Sequence, residues 1–141
     1  MIRVVLDTNV VVSAVLSPSG PPFEIIALAN QKLIQLYAST DTFDEYREVL
    51  ARPQFAKLKG LSDLQLTELS KLCRFVAPSK EVAASPDQKD NMFLECAEAA
   101  KAHYLVTGNV RHFPERWKYA KTITPRQFLD LFGALPKKIR R

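Results

Sequence analysis

The chain has 141 residues, a length that suits one domain and leaves little room for a second. Its 47% hydrophobic content can fill one sizeable core, and no apolar run is long enough to cross a bilayer. Met1 leads directly into a strand-like segment rather than a cleavable signal sequence, so we expect a cytoplasmic protein without a membrane partner. The net charge of +5 favours a polyanionic partner, but such a charge is also common on proteins that bind no nucleic acid.

A strand, a helix, a strand and a helix are predicted in the first half of the chain, over residues 2–6, 21–30, 33–38 and 40–50. The first strand is a β-branched apolar run of the kind that is buried on both faces of a parallel sheet, and it ends at Asp7. Pro21 suits the start of the first helix, where its missing amide proton is not needed. Thr40 can cap the second helix, which carries Glu45, and Pro53 blocks its continuation.

Two helices, two strands and a last helix are predicted in the second half, over residues 62–76, 91–102, 103–107, 119–123 and 124–133. Ser62 opens a capping-box pattern, so the first of these helices is expected to begin there and to include Cys73. Cys96 lies in the next helix, and we expect both cysteines to be small buried hydrophobes. Asp90 stands at the entrance of that helix, and Gly133 is expected to end the last one.

The alternation of strands and helices predicts a three-layer α/β/α domain with a mostly parallel sheet of four to five strands. We place this domain at residues 1–135 and a basic tail at 136–141. Ligands of such sheets bind beside the carboxyl ends of the strands, where Asp7 is well placed to act. An Asx-turn would explain Asp7 equally well. Taken alone, Asp90 is typical of an N-cap, and Glu45 is typical of a solvated helix surface.

The three carboxylates make a stronger case together than singly. Carboxylates gathered without cations repel one another, whereas a hard divalent ion needs oxygen ligands and supplies positive charge. In four segments, 5–14, 45–50, 90–97 and 106–109, the sequence resembles the PIN-domain family, and most closely its branch of bacterial toxin components of toxin–antitoxin systems. The resemblance implies a parallel-sheet α/β/α fold and metal-dependent cleavage of RNA.

The resemblance also implies roles for single residues. Asp7, Glu45 and Asp90 match acidic residues that are catalytic and bind Mg²⁺ or Mn²⁺ in the family. Asn109 stands where many relatives have a further aspartate; it can coordinate through its amide oxygen but leaves the site one charge short. Asp87 is a looser candidate and equally well a solvated loop residue. Small polar residues match positions that surround the family's site and could hold waters or a phosphate: Thr8, Asn9, Ser13 and Thr107.

Other side chains near the predicted sheet edge have both a functional and a structural interpretation. His112 could contact substrate or carry a proton, or it could be an exposed loop histidine, and His103 is expected to be structural. Trp117 and Tyr119 could stack on bases or fill the edge of the core. Scattered cations could contact phosphates but define no patch: Arg3, Lys89, Arg111, Arg116 and Lys118.

The resemblance implies hydrolysis of RNA phosphodiester bonds by a metal-activated water, with an antitoxin as protein partner and a homodimer as assembly. A phosphatase of the haloacid-dehalogenase type shares the strand-Asp opening, but it needs a general acid where this chain has Asn9. A catalytically weakened PIN-fold module that binds RNA or a partner stays open because Asn109 is neutral. An oligomeric scaffold has no specific support in the sequence.

Overall fold

A computed structural model describes residues 1–79, 81–84 and 87–134 of the chain. This part contains six α-helices: α1 Thr8–Leu16, α2 Pro21–Asn30, α3 Thr40–Leu50, α4 Lys59–Leu72, α5 Gln88–Ala100 and α6 Pro125–Ala134. It also contains six strands: β1 Arg3–Leu6, β2 Gln35–Ala38, β3 Cys73–Phe75, β4 Tyr104–Val106, β5 Arg116–Trp117 and β6 Ala120–Ile123. Short 3-10 helices follow α3 and β4, at Pro53–Leu58 and Val110–His112. The predicted basic tail 136–141 lies outside the described residues, so the domain boundary at 135 stays a prediction.

The six strands form one sheet in the order β3-β2-β1-β4-β6-β5. All neighbouring strands are parallel except β5 and β6, which are antiparallel, so the predicted mostly parallel sheet is confirmed. The predicted number of four to five strands is wrong, because β3 and β5 add edge strands of three and two residues. Segments this short carry too little alternation of apolar and polar residues to be recognised from sequence.

The centre of the sheet is covered on both faces. Val4, Val5 and Leu6 of β1 are at most 2% exposed, and successive side chains of a strand point to opposite faces. Apolar groups must therefore pack on both sides of the sheet, as the predicted α/β/α layering requires. Helix α5 contacts β1, β2 and β4 and covers the middle of one face.

Helix α1 follows β1 after a single residue and was not predicted from the sequence. Four of its nine residues are valines, whose β-branched side chains lose rotamer freedom in a helix. Burial of Val10, Val11 and Val15 in the core stabilises the helix instead. In the described part of the chain, no single helix is long and apolar enough to cross a membrane. Helices α1 and α2 meet the length and composition criteria only when taken together, and the angle between them is 96°.

The predicted N-cap of α3 and the predicted start of α4 are wrong. Ser39 rather than Thr40 caps α3, because the Thr42 amide donates to Ser39 Oγ and the Ser39 amide donates to Thr42 Oγ1. Helix α4 begins at Lys59, and Ser62, the predicted start, is buried within it. Capping patterns in this sequence therefore indicate that a helix begins nearby without fixing its first residue.

The two cysteines lie in different kinds of element. Cys73 belongs to β3, so the helix predicted over this position is wrong, and Cys96 is buried in α5. Both are free thiols, and burial raises the pKa of each to about 12. They remain protonated near neutral pH and act as small apolar side chains.

Helix α6 begins as its sequence predicts. The Gln127 amide donates to Thr124 Oγ1, and the Thr124 amide donates to Gln127 Oε1, which forms the expected capping box. The predicted end is wrong, since Gly133 lies inside the helix as described and not beyond it.

Candidate active site

The carboxyl end of β1 lies where the chain reverses its direction across the sheet. From β1 the chain passes to β2 on one side, and after α5 it returns to β4 on the other side of β1. Such a reversal opens a crevice beside the carboxyl ends of the two central strands, where ligands bind in open α/β sheets. Asp7 follows β1 and Thr107 follows β4, so both residues lie at this crevice.

Asp7 is only 7% exposed, and both of its carboxylate oxygens accept hydrogen bonds. The Thr8 amide donates to Oδ1 at 2.8 Å, and the Thr107 hydroxyl donates to Oδ2 at 2.7 Å. Burial raises the pKa of Asp7, and the hydrogen bonds from Thr107 and Thr8, with the attraction of His112, offset this only in part. The carboxylate therefore has a fixed orientation and a negative charge that is costly to maintain.

Two further hydrogen bonds connect the loops that follow β1 and β4. The Asn109 amide donates to Thr107 Oγ1 at 3.0 Å, and the Gly108 amide donates to Asn9 Oδ1 at 3.1 Å. Thr107 is fully buried, so it orients the Asp7 carboxylate from the interior of the protein, through its hydroxyl hydrogen bond. Asn9 has no acidic proton to give, and its side chain is engaged in joining the loops; it therefore cannot act as the general acid of a dehalogenase-type phosphatase.

These loops border an open cleft of about 390 Å³. The predicted catalytic positions that line it are Asp7, Glu45, Asp90 and Asn109. The predicted surrounding residues that line it are Thr8, Asn9, Ser13 and His112. Thr107, the remaining predicted neighbour, touches the site through Asp7 instead. Residues far apart in the sequence therefore meet at the carboxyl edge of the sheet.

Helices α3 and α5 bring Glu45 and Asp90 to the cleft and pack against each other. Tyr46, the neighbour of Glu45, is buried, and its hydroxyl donates to the carbonyl of Leu6, the last residue of β1. The Tyr46 ring also stacks on Phe93 of α5, with 6.3 Å between ring centroids. Through Tyr46 both helices are held against the end of β1.

The structure also tests the purely structural interpretations of these acids. Asp87, not Asp90, caps α5, and its Oδ1 accepts a hydrogen bond from a backbone amide at 2.9 Å. The interpretation of Asp90 as an ordinary N-cap is therefore wrong, and Asp87 has a structural role instead. Glu45 is half-buried, and Arg47, a possible partner for it, pairs with Asp44 at 3.2 Å.

The two histidines lie at different places. His112 is in the 3-10 helix after β4, and its Nδ1 lies 3.8 Å from Asp90 Oδ2 at the mouth of the cleft. His103 Nδ1 accepts a hydrogen bond from the Arg3 amide at 2.9 Å. This bond joins the start of β1 to the start of β4, in agreement with the structural role expected of His103.

Most predicted contacts to nucleic acid lie elsewhere. Lys89 lines the cleft, whereas the other candidate cations do not: Arg3, Arg111, Arg116 and Lys118. Trp117 is half-buried in β5, and the Lys118 ammonium lies 5.3 Å from its ring centroid. Tyr119 is 67% exposed, and neither aromatic ring borders the cleft.

Sequence reasoning missed a segment that forms part of the cleft wall. Arg52, Gln54 and Phe55 line the cleft from the end of α3 and the 3-10 helix that follows. Arg52 is exposed and adds a second cation beside Lys89. The available signal was Pro53, which turns the chain at the end of the helix that carries Glu45.

The donor atoms around the cleft suit a hard cation. They are carboxylate, amide and hydroxyl oxygens, the ligands that Mg²⁺ and Mn²⁺ prefer. Thr8 Oγ1 is buried and has no hydrogen-bond partner among the described residues, so it can bind a polar group in the cleft. Within the same residues, no three His, Cys, Asp or Glu side chains are grouped closely enough to hold a metal alone. Because Mg²⁺ typically keeps several waters beside one or two carboxylates, the residues fit a hydrated ion.

The chain is similar to known proteins in both sequence and fold. The sequence is 29% identical over 143 aligned positions to the uncharacterized protein MJ1680 of Methanocaldococcus jannaschii, covering 93% of this chain and 92% of that protein. The fold is similar to the crystal structure of VapBC2 from Rickettsia felis bound to a DNA fragment from their promoter, with a TM-score of 0.62 and 16% identity over 87% of this chain and 98% of the other. The fold is also similar to the structure of FitAB bound to an IR36 DNA fragment, with a TM-score of 0.55 and 16% identity. This match covers 86% of this chain and 94% of the other.

At 16% identity the two solved structures establish the fold alone. The family follows from a sequence match, because the model of the PIN domain matches residues 3–111. That range runs from the start of β1 through β4 and includes Asp7, Glu45, Asp90 and Asn109. This chain therefore belongs to the PIN domain family.

Proposed function

We propose that this protein is a metal-dependent endoribonuclease whose site is formed by Asp7, Glu45, Asp90 and Asn109. The observation that carries the proposal is that these positions border one cleft at the carboxyl edge of the sheet, in a chain of the PIN domain family. The cleft is open to solvent and lined by exposed cations as well as acids, as an extended polyanionic substrate requires.

Asp7, Asp90 and the other oxygen donors of the cleft would hold Mg²⁺ or Mn²⁺. When bound, the ion lowers the pKa of a water and neutralises charge on the phosphate. Residues of the chain itself orient the ligands, contact the phosphate and accept the proton in this proposal. Thr107 fixes the orientation of Asp7, and the Thr8 hydroxyl can donate a hydrogen bond to a phosphate oxygen. Glu45 is a half-buried carboxylate that can accept the proton of the attacking water.

Lys89 and Arg52 provide the contacts to the RNA backbone in this proposal. Both are exposed, and both line the cleft at its surface. Phosphate contacts of this kind position a nucleic acid without reading its sequence, so they favour RNA binding in general. The overall charge of +5 acts in the same direction over a longer range.

The second candidate is a PIN-fold module that binds RNA or a protein partner and cleaves weakly or not at all. Asn109 favours it, because an amide at this position contributes an oxygen ligand but no negative charge. In this case RNA would bind in the cleft and be released intact.

A protein partner is proposed as well. The sequence resembles toxin components of toxin–antitoxin systems, and its fold is similar to the structures of VapBC2 and FitAB. We therefore propose that this chain is a toxin that binds a small antitoxin. An apolar groove of about 320 Å³ between α1, α2 and α4 is the candidate surface, lined by Val15, Phe23, Ile26, Leu69 and Leu72 among others. Helix α1 lines both this groove and the cleft, so a partner seated in the groove would contact a helix of the proposed site. The homodimer implied by the resemblance stays a proposal that light scattering of the purified chain can test.

A cleavage assay tests the catalytic proposal. The purified chain is incubated with a closed circular single-stranded RNA in Mg²⁺, in Mn²⁺ and in chelator, because only an endonuclease can open a circle. We expect cleavage with either metal alone, and loss of cleavage in Asp7→Asn and Asp90→Asn with an unchanged circular-dichroism spectrum. Asp87→Asn is the matched control, because Asp87 caps the helix that carries Asp90 but does not line the cleft.

Three results would contradict or redirect the proposal. Full cleavage in chelator would rule out a metal-dependent mechanism. Equal cleavage by wild type, Asp7→Asn and Asp90→Asn would remove these acids from the site. Binding of the circle in Mg²⁺ or Mn²⁺ without cleavage would favour the binding module instead.

A further inference from the structure

The side chains of His112 and Asp90 lie close together in the cleft. His112 Nδ1 and Asp90 Oδ2 are 3.8 Å apart, which is too long for a hydrogen bond between nitrogen and oxygen. Two ligand atoms about 2.1 Å from one ion lie about 3.0 Å apart at right angles and about 4.2 Å apart on opposite sides. The observed separation falls inside this range.

His112 also lies near Asp7 and Asn109, two other proposed ligand residues. It lines the same cleft as both of these residues. It lies three residues after Asn109, in the 3-10 helix that this asparagine caps. The imidazole is therefore beside the position where the chain lacks a fourth carboxylate.

We propose that His112, through Nδ1, is a metal ligand together with Asp90 and supplies the protein ligand that Asn109 provides only weakly. This inference rests on the proposed metal-dependent function and adds a nitrogen ligand to its oxygen donors. Mg²⁺ takes oxygen ligands almost exclusively, whereas Mn²⁺ and Co²⁺ combine oxygen ligands with an imidazole nitrogen more readily. The site should therefore bind Mn²⁺ and Co²⁺ more tightly than Mg²⁺, and His112 should set this preference.

Spin-echo modulation spectroscopy of the Mn²⁺-loaded protein tests the ligand directly, because a coordinated imidazole couples its nitrogen nucleus to the electron spin. The chain has two histidines, so the signal can be assigned with two variants. We expect nitrogen coupling in wild type and in His103→Asn, and none in His112→Ala. The His103 control keeps an acceptor near the position of Nδ1 and so preserves the hydrogen bond from the Arg3 amide.

Calorimetric titration with MnCl₂ and with MgCl₂ gives the second readout. His112→Ala should lower the Mn²⁺ affinity by about tenfold or more and change the Mg²⁺ affinity far less. His112→Asp should reverse the preference toward Mg²⁺, because it replaces nitrogen by a charged oxygen ligand. The His112 side chain is 59% exposed, so thermal melting should find both variants folded.

The outcomes separate this inference from the proposed function. Tight Mn²⁺ binding by wild type without nitrogen coupling, or coupling that disappears in His103→Asn, would overturn the role of His112 and leave a metal-dependent nuclease intact. Unchanged Mn²⁺ affinity in His112→Ala would do the same. No binding of Mn²⁺ or Mg²⁺ by wild type, together with no cleavage of RNA, would overturn both.

Discussion

Replacement of Asp7 by asparagine should stabilise the metal-free protein near neutral pH. The carboxylate is 7% exposed, and burial raises its pKa despite two hydrogen bonds and the attraction of His112. The folded state therefore bears a cost for the charged form that the unfolded state does not. Asparagine keeps the size of the side chain and removes the charge.

The expected change in the free energy of unfolding combines a gain from removing the buried charge and a loss from removing a hydrogen bond. Asparagine keeps an oxygen that accepts the hydrogen bond from the Thr8 amide, but its amide nitrogen cannot accept the one from Thr107. A hydrogen bond to a charged group contributes about 1.5–3 kcal/mol, which limits the net benefit. Because desolvation already outweighs these bonds in Asp7, we expect a net gain of about 1 kcal/mol in the free energy of unfolding. For a domain of this length the melting temperature should rise by about 3–5 °C.

The pH dependence gives a second check. A raised folded-state pKa means that protonated Asp7 favours the folded state; this contribution is fully present below the unfolded-state pKa, near the ordinary value of 3.8. It is lost as the pH rises through the folded-state pKa. The advantage of Asp7→Asn should therefore be largest near neutral pH and should shrink as the pH falls toward about 4.

The assay is thermal and urea unfolding in chelator, followed by circular dichroism. Asp130→Asn is the matched control, because it removes the same charge from an exposed position of α6 and should change stability little. Added Mg²⁺ should raise the melting temperature of wild type more than that of Asp7→Asn, through preferential binding to the folded state. A lower melting temperature for Asp7→Asn at neutral pH, or a difference that does not change with pH, would refute the reasoning.

Three further changes have expected outcomes. Asn109→Asp should lower the Mg²⁺ concentration needed for half-maximal cleavage, because a carboxylate attracts a hard dication more strongly than an amide does; a higher requirement would place Asn109 away from the ion. Tyr46→Phe should lower the free energy of unfolding by about 1–3 kcal/mol in urea titrations, since the buried carbonyl of Leu6 loses a hydrogen-bond donor. Thr107→Val should reduce the cleavage rate at saturating RNA more than it changes the KM, because it frees Asp7 to rotate; an effect on KM alone would argue against this positioning role.

The sequence predicted the edge of the sheet at which the candidate site lies, because one simple rule applies to that edge. Asp7 follows a β-branched run directly, and parallel strands end at a common edge of the sheet. Glu45 and Asp90 could be placed at that edge only through the resemblance, since each alone is an ordinary residue of a helix. The contact that positions them involves Tyr46 and the carbonyl of Leu6, and no local pattern predicts a side-chain bond across 40 residues.

The missed features share a physical cause. Helix α1 is rich in valine, so local propensity opposes the helix, and burial against the rest of the fold decides its structure. Cys73 continues the apolar spacing of α4, yet pairing with β2 makes it a strand residue. In both cases a contact distant in sequence outweighs the local signal.

Helix α1 carries one consequence for how this protein can change by mutation. Val12 and Ser13 line the cleft, while the buried Val11 and Val15 line the floor of the apolar groove, so adjacent positions of one short helix contribute to both. Under the proposed function, a substitution in α1 that alters one of them also affects the other, so the proposed nuclease activity is coupled to control by the proposed antitoxin. In a library of variants selected for escape from that control with activity retained, we expect the surviving changes to lie in α2 and α4 and to be rare in α1.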